Sequence, residues 1–502
     1  MQACGAVVPP RAFPLPSDRQ RAYVGAERKG LSKVVLSALT DGITRSLEGV
    51  AGTVSDLFDP SLRIGVTGLS GAGKTVFITA LVANLLDRGR MPQLSAQTAG
   101  RIEAVVLQPQ PDLTLPRFDY ETHMTALLGD TPRWPQSTRA VSELRLSFRL
   151  RPSGLLSFGG ASQLHVDIVD YPGEWLLDLS LMEKDYARWS EDTLERIAKR
   201  AEAADFMAQA RAEDGALPLD EARAQALAAS FTAYLQAARG KGWSDLTPGR
   251  FLLPGELAGS PVLTFAPLPR PASTARGSLW REMERRYEAY KAKVVKPFFR
   301  DHFSRIDRQV VLKDVLGAIH AGPQAVEDLR RTMADILSAF RPGANGWLTR
   351  LLGGKRVERI LFAATKADHL HHHQHPALTA ITEALLADAK RRADFSGART
   401  MALSMASLRA TVEDTVQQDG APLDVVRGRL LASGKQAAMH AGDLPTDPAR
   451  ILAPARDGAE RWLDADYGLM AFAPARMTLR PGEGPPHIRL DRAAEFLIGD
   501  RL

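Results

Sequence analysis

The sequence predicts an α/β protein, a parallel sheet covered by helices on both faces in a three-layer α/β/α arrangement. Three observations predict it. Short apolar runs of strand length alternate with amphipathic helical stretches, the rhythm that βαβ units impose. A glycine-rich bend, "GLSGAGKT" (68–75), separates one such strand from a helix. Between Trp175 and about Phe299 the rhythm gives way to helical periodicity alone, which reads as a large helical insertion.

Taken in order, residues 1–30 are rich in Pro, Arg and polar residues and read as a loose arm. From Leu31 to Phe58, Val35, Leu39, Ile43, Leu47, Val50, Val54 and Leu57 step by fours and threes, one stripe of an N-terminal amphipathic helix. That stripe either packs on its own domain or docks on a membrane surface or a partner protein. "LRIGVTG" (62–68) is an apolar strand, and "KTVFITALVANLLDRG" a helix stopped by Gly89. Residues 90–140, full of Pro and polar residues, read as a long loop region. "RAVSELRLSFRL" (139–150) and "LHVDIVD" (164–170) are strands flanking a turn.

Within the insertion (176–300), "DTLERIAKRAEAADFMAQARAED" and "WREMERRYEAYKAKVV" (280–295) are helical. Strand "RQVVLKDVL" (308–316), helix "QAVEDLRRTMADILSAF" (324–340), strand "RILFAAT" (359–365), a helix through "ALTAITEALLADAKRR" and strand "TMALSMA" (400–406) restore the alternation. Residues 61–175 and 301–410 are thus two parts of one domain. The C-terminal extension, 411–502, shows a clear pattern only at its closing helix, "DRAAEFLI" (491–498).

Composition narrows the function classes. Hydrophobic residues are 45% and charged residues 24%, values of an ordinary globular protein. The net charge of +6 is spread thinly over 502 residues without a basic block, so no nucleic-acid partner is expected. Cys4 is the only cysteine, which rules out an intrachain disulfide. No apolar run reaches the length of a membrane span, and the first residues do not resemble a secretory signal. A cytoplasmic location is therefore expected, with any membrane contact peripheral to the inner membrane and made through the N-terminal helix.

Three motifs carry the chemistry. Gly68, Gly73, Lys74 and Thr75 fit G-x-x-x-x-G-K-[ST] between a strand and a helix. Glycines let backbone N–H groups turn toward phosphates, and the helix N-terminus adds partial positive charge. Gly68, Ser70, Gly71, Ala72, Gly73, Lys74, Thr75 and Val76 are the expected phosphate-loop contacts, with Lys74 on the β- and γ-phosphates and the Thr75 hydroxyl on Mg²⁺. In "VDIVDYPGEW" (166–175), Asp170 ends a buried strand, where a carboxylate needs a cation to justify it. Asp167, in mid-strand, is the weaker competitor for that metal role. Gly173 completes D-x-x-G, whose glycine N–H can sense a γ-phosphate. Third, "LFAATKADHL" (361–370) places Thr365, Lys366 and Asp368 after a strand. A carboxylate there accepts from both guanine N1–H and the 2-amino group, whereas adenine leaves it unpaired. The Lys366 stem can lie along the base. In "MASLRAT" (405–411), N–H groups around Ala406, Ser407 and Leu408 could meet the guanine carbonyl. Together the motifs point to a P-loop NTPase that takes GTP or GDP with Mg²⁺.

The motif set resembles the translation-factor and Ras-like class of GTPases. "VVKPFFRDHFSRIDRQVVLKDVL" (294–316), "ATKADH" (364–369), "MASLRAT" and the closing "RLDRAAEFLIGDRL" (489–502) resemble the YcjX-like family of bacterial proteins. That resemblance implies a Ras-like GTP-binding domain with large helical additions, a cytoplasmic location and an association with envelope or general stress. Two departures stand out. Lys313 interrupts an otherwise apolar strand and is expected at a strand edge. Glu174 follows the D-x-x-G glycine, where Ras-like hydrolases carry a glutamine that orients water. A carboxylate there could orient water but would be repelled by a γ-phosphate, so hydrolysis is expected to be slow and to need a partner or an arginine. Arg133 and Arg139 could supply that arginine, though both also read as solvated loop residues. Thr138 is the expected switch threonine on Mg²⁺, with Thr131 nearly its equal. An activating or effector protein is expected beside the nucleotide. A switch module that binds nucleotide with negligible turnover is the rival reading, and a small-molecule kinase leaves T-K-x-D unexplained.

"HLHHHQHP" (369–376) invites a metal reading. Zinc needs ligands that converge in a tetrahedron, and adjacent histidines in a loop are expected to diverge, so no functional metal site is expected there.

Overall fold

Leu62, Ile64 and Val66 alternate along β1 (Ser61–Gly68), and all three are buried against one face of a seven-stranded sheet. The computed structural model describes residues 60–68, 71–136, 140–151, 162–339, 357–392, 397–463 and 465–502, and Pro60–Leu502 forms one unit. The expected N-terminal arm and amphipathic helix lie outside the described residues.

β1 leads into α1 (Lys74–Leu86), a helix buried along nearly its whole length, as its run of Val, Phe, Ile, Ala and Leu requires. β2 (Ile102–Gln108), α2 (Tyr120–Leu128), β3 (Ser142–Leu150) and β4 (Ser162–Asp170) follow. Then comes the helical segment: α3 (Gly173–Leu177), α4 (Tyr186–Ile197), α5 (Ala204–Ala212), α6 (Glu221–Gly240) and α7 (Leu279–Tyr290). β5 (Arg308–Lys313), α8 (Val315–Ala321), α9 (Pro323–Ala339), β6 (Arg359–Ala364), α10 (His375–Arg392) and β7 (Arg399–Ser404) restore the βα alternation. The strand order is β2-β3-β4-β1-β5-β6-β7. β4, β1, β5, β6 and β7 run parallel, and β3 is antiparallel to both of its neighbours. Parallel strands covered on both faces are buried along their lengths, as β5 is, and β6 shows the near-continuous apolar run this favours.

The predicted α/β sheet of a P-loop NTPase is the observed architecture. Three local expectations are corrected. Residues 90–140 are not one long loop, since they contain β2, an edge strand, and α2, whose N-cap Asp119 accepts from the Thr122 amide. An edge strand exposes part of its length, here Glu103 and Val106, and so lacks the apolar run of an interior one. The helical stretch from 192 breaks at Ala198–Arg200 between α4 and α5. The strand expected over 308–316 ends at Lys313 because Asp314 caps α8, its side chain accepting from the Gly317 amide at 2.8 Å.

The helical segment does not have a core of its own. Trp189, Phe231, Phe265, Tyr287 and Tyr290 belong to one hydrophobic cluster with Val169, Val311, Ile360 and Phe362 of the sheet. Trp189 stacks on Tyr287 with ring centroids 4.9 Å apart. On the opposite face, α1 and α12 (Leu490–Ile498) pack with Ile64, Val66, Val310 and Leu361. The extension past residue 411 is a three-stranded antiparallel sheet, β8 (Val412–Gln418), β9 (Ala421–Arg429) and β10 (Gln436–Met439), followed by α11 (Ala449–Arg456). Among the described residues no helix is long and apolar enough to cross a membrane.

Candidate functional site

The carboxyl ends of β1, β4, β5 and β6 meet at one edge of the sheet, the usual ligand crevice of open α/β folds. Gly73 has φ 77, a left-handed conformation that favours glycine, and it starts α1 with the Phe77 amide bonded to its carbonyl at 2.8 Å. No acidic residue occupies the first turn of α1, so its N-terminal N–H groups face the crevice without a competing carboxylate.

Asp170, fully buried at the end of β4, is ion-paired with Lys74 through Oδ1. Its second oxygen, Oδ2, is buried and has no hydrogen-bond partner among the described residues. A buried carboxylate oxygen without a partner is costly unless a further cation or donor meets it. Thr75, also buried, begins the same helix. Hard oxygen donors of this kind suit Mg²⁺, so the residues fit the metal the motif implies. Asp167, the weaker candidate, is instead held across the sheet by Arg145 at 2.6 and 2.9 Å.

Gly173 packs directly on the end of β1. A Cβ there would lie 2.6 Å from the Gly68 carbonyl oxygen, so the D-x-x-G turn admits no side chain at this point. Glu174 is buried, and its Oε1 lies 3.3 Å from the Arg239 guanidinium at the last turn of α6. Buried contacts seat the helical segment against this turn. Asp178 accepts from the Gly249 amide at 2.8 Å and from the Tyr290 hydroxyl at 2.5 Å, and a Cβ on Gly249 would strike the Glu174 carbonyl oxygen at 2.3 Å.

At the third strand end, the Thr365 amide donates to the Lys313 carbonyl at 2.9 Å. Lys366 takes a left-handed φ of 60 and pairs with Asp314 at 2.5 Å. Asp368 is buried, with Oδ2 accepting from the Ala410 amide at 2.9 Å and its carbonyl accepting from the Thr411 hydroxyl. His369 beside it has its pKa lowered, chiefly by burial, and meets the Phe472 ring edge-on at 5.4 Å.

A cleft of about 340 Å³ connects these pieces, within the range of small-molecule sites. Gly68, Gly71, Ala72, Gly73, Lys74, Thr75 and Val76 line it with Glu174, Thr365, Lys366, Asp368, Ala406, Ser407 and Leu408. Asp170 reaches the group through Lys74 and Gly173 through its contact with Gly68. Ser70, Thr138 and Arg139 lie outside the described residues, and Thr131 and Arg133 are exposed and do not line the cleft. Sequence reasoning missed Arg239, Trp134, Leu253, Leu431, Ala471 and Phe472, which also line it. Nothing local marks them. Arg239 reads as one more basic residue at a helix end, and Phe472 sits in an extension without periodicity, held by the Trp134 indole N–H donating to its carbonyl at 2.8 Å.

Lys313, expected at a strand edge, lies at the end of a strand in the interior of the sheet. It is buried, and its Nζ has no hydrogen-bond partner among the described residues. Burial pushes its pKa down to about 8, opposed by the carboxylates of Asp328 and Glu174. The folded state therefore gives up this proton before the unfolded chain does, which titrates near the ordinary 10.5. Stability contributed through this group is lost as pH falls through about 8, and it is gained between about 8 and 10.5 at roughly 1.4 kcal/mol per pH unit. Lys313→Met should accordingly melt several degrees higher than the parent at pH 7, with the gap closing by pH 10 in thermal scans. A gap independent of pH would show that charge is not the cause.

Comparison with known proteins matches residues 62–502 to a family model described as "YcjX-like family, DUF463". A curated protein of Escherichia coli (strain K12), "Ras-like GTPase YcjX", is 38% identical over 459 residues, covering 88% of this chain and 96% of the relative. A protein of the same name from Shewanella oneidensis is 36% identical over 471 residues, covering 88% of this chain and 95% of the relative.

Proposed function

Since the chain belongs to the YcjX-like family, we propose that it binds GTP and GDP in this cleft and hydrolyses GTP slowly. The observation that carries the reading is the meeting of three strand ends: Lys74 bonded to Asp170, with Lys74 and Asp368 lining one cleft. The phosphates lie on the N–H groups of Gly71 to Val76, and Lys74 moves from Asp170 toward the β- and γ-oxygens. Mg²⁺ would be held by the Thr75 hydroxyl and, through water, by Asp170, and would supply positive charge that offsets the charge of the β- and γ-phosphates. Asp368 accepts from guanine N1–H and its 2-amino group, and the Ala410 amide fixes the carboxylate plane.

Slow turnover follows from residue 174. A glutamine can both donate to and accept from an attacking water, whereas a carboxylate only accepts and is repelled by the γ-phosphate. Glu174 instead holds Arg239, an arginine in cis that would meet the charge developing on the phosphoryl group. The same engagement of Glu174 favours the second reading, a nucleotide switch with negligible hydrolysis. A cytoplasmic, stress-associated role, implied by the family resemblance, completes the proposal, together with an activating or effector protein and any weak peripheral membrane contact made through the expected N-terminal amphipathic helix.

Single-turnover assays with GTP and with ATP, beside Lys74→Ala, test the reading. GTP should release phosphate and ATP should not, and the variant should lose both nucleotide binding and release by about 10²-fold or more. Tight GTP binding without release would favour the switch, and release from ATP alone would overturn the base assignment.

A further inference from the structure

We propose that His371, His372 and His373 form a site for one borderline transition-metal ion of the zinc class, ordered by Glu413 and Asp424. The histidines lie in the turn between the T-K-x-D segment and α10, and the two carboxylates come from β8 and β9. The expectation that adjacent histidines diverge is overturned by the local backbone. His372–Gln374 closes a 3-10 turn directly after an extended His371, and this brings the three rings together instead of alternating them as a strand would. Ring centroids lie 4.1, 4.4 and 4.6 Å apart, and one ring nitrogen from each residue falls within 4.8 Å of the others.

Two further observations point to a ligand. The His371 side chain is 9% exposed, yet its Nδ1 is buried with no hydrogen-bond partner among the described residues, the nearest carboxylate oxygen being 3.6 Å away on Asp424. An unpaired ring nitrogen in that position is a cost that a metal would remove. The other two rings make the carboxylate hydrogen bond that metal-bound imidazoles usually make. His372 Nδ1 lies 2.7 Å from Glu413 Oε2, and His373 Nδ1 lies 3.0 Å from Asp424 Oδ2. A ring that donates through Nδ1 to a carboxylate presents the lone pair of Nε2, and such pairs hold the tautomer and raise ligand basicity. The carboxylates are fixed in turn, Glu413 by Arg409 at 3.4 Å and Asp424 by the Thr415 hydroxyl at 3.1 Å.

Imidazole nitrogens suit zinc, nickel, copper and cobalt far better than Mg²⁺ or Ca²⁺. Zn–N bonds of about 2.0–2.1 Å place ligands roughly 3.3 Å apart, so the rings need only turn inward. The bound ion would tie β8 and β9 to the turn that follows Asp368, whose carbonyl already accepts from Thr411 just before β8. Metal binding here does not depend on the nucleotide reading.

The test is calorimetric titration of ZnCl₂ into chelator-stripped full-length protein, with Co²⁺ absorption as a report on coordination. One equivalent should bind with a dissociation constant below ~1 μM and raise Tm. The double variant His371→Ala, His373→Ala should bind at least ~100-fold more weakly and lose the Tm response. Should that variant fail to fold by circular dichroism, Asp424→Asn serves, with an expected loss of ~10-fold or more. No uptake, several weak equivalents, or unchanged affinity in whichever variant folds would each overturn the proposal, leaving the histidines as adventitious ligands.

Discussion

Asp368→Asn is expected to weaken GDP and GTP binding on the order of 10³–10⁴-fold and to improve binding of xanthosine nucleotides. Guanine presents two adjacent donors, N1–H and the 2-amino group, and a carboxylate accepts from both. An asparagine offers one acceptor and one donor. The donor faces the 2-amino group, and two buried donors are left without partners. Xanthine carries a carbonyl where guanine has the amine, so its donor-then-acceptor edge matches the amide. The variant should still fold, because the Ala410 amide can donate to the new carbonyl oxygen as it does to Asp368. Fluorescent-nucleotide titration with GDP, XDP and ADP reads the result. Equal weakening of all three would mean that Asp368 shapes the loop instead of reading the base, whereas unchanged GDP affinity would remove it from the base site altogether.

How far the sequence reveals this arrangement depends on whether a feature is local. The phosphate loop, the aspartate ending β4 and the T-K-x-D segment each declare themselves within a few residues, because strand, turn and helix chemistry are written at that scale. They meet because parallel strands deliver their carboxyl ends to one edge, a property of the topology that the βα rhythm already implies. β2 stayed hidden because an edge strand between Gly100 and a Pro-rich stretch lacks the apolar run of an interior strand. The far wall of the cleft was hidden for another reason. Arg239 is 65 residues beyond Glu174 in the chain, and Leu431, Ala471 and Phe472 come from the extension. Only long-range packing, such as Gly249 against the Glu174 backbone, brings such residues to the site. Lys313 shows the limit from the other side. An isolated lysine in an apolar run is most simply placed at an edge, but here it is buried in an interior strand, where Asp328 and Glu174 partly offset its desolvation.

Arg239→Ala is the second large effect, and it separates catalysis from binding. The guanidinium lies at the end of α6 with Glu174 on one side and the phosphate loop across the cleft. The helical segment that carries it is seated beside Glu174 in part by Asp178, whose buried carboxylate accepts from the Gly249 amide and the Tyr290 hydroxyl. An arginine that meets developing phosphoryl charge contributes ~10³-fold or more to the rate, with little effect on ground-state affinity. Single-turnover hydrolysis should therefore fall by roughly 10³-fold in Arg239→Ala while GDP affinity changes less than ~3-fold. Arg239→Lys should recover only part of the rate, because an ammonium keeps the charge but not the planar fork. Glu174 distinguishes a positioning role from a water-orienting one. If it acts by holding Arg239, then Glu174→Ala in the Arg239→Ala background should cost almost nothing further, since the two act as a unit. If the two losses multiply instead, Glu174 works on the water directly. A normal rate in Arg239→Ala would remove this arginine from the chemistry and return the search to a partner protein.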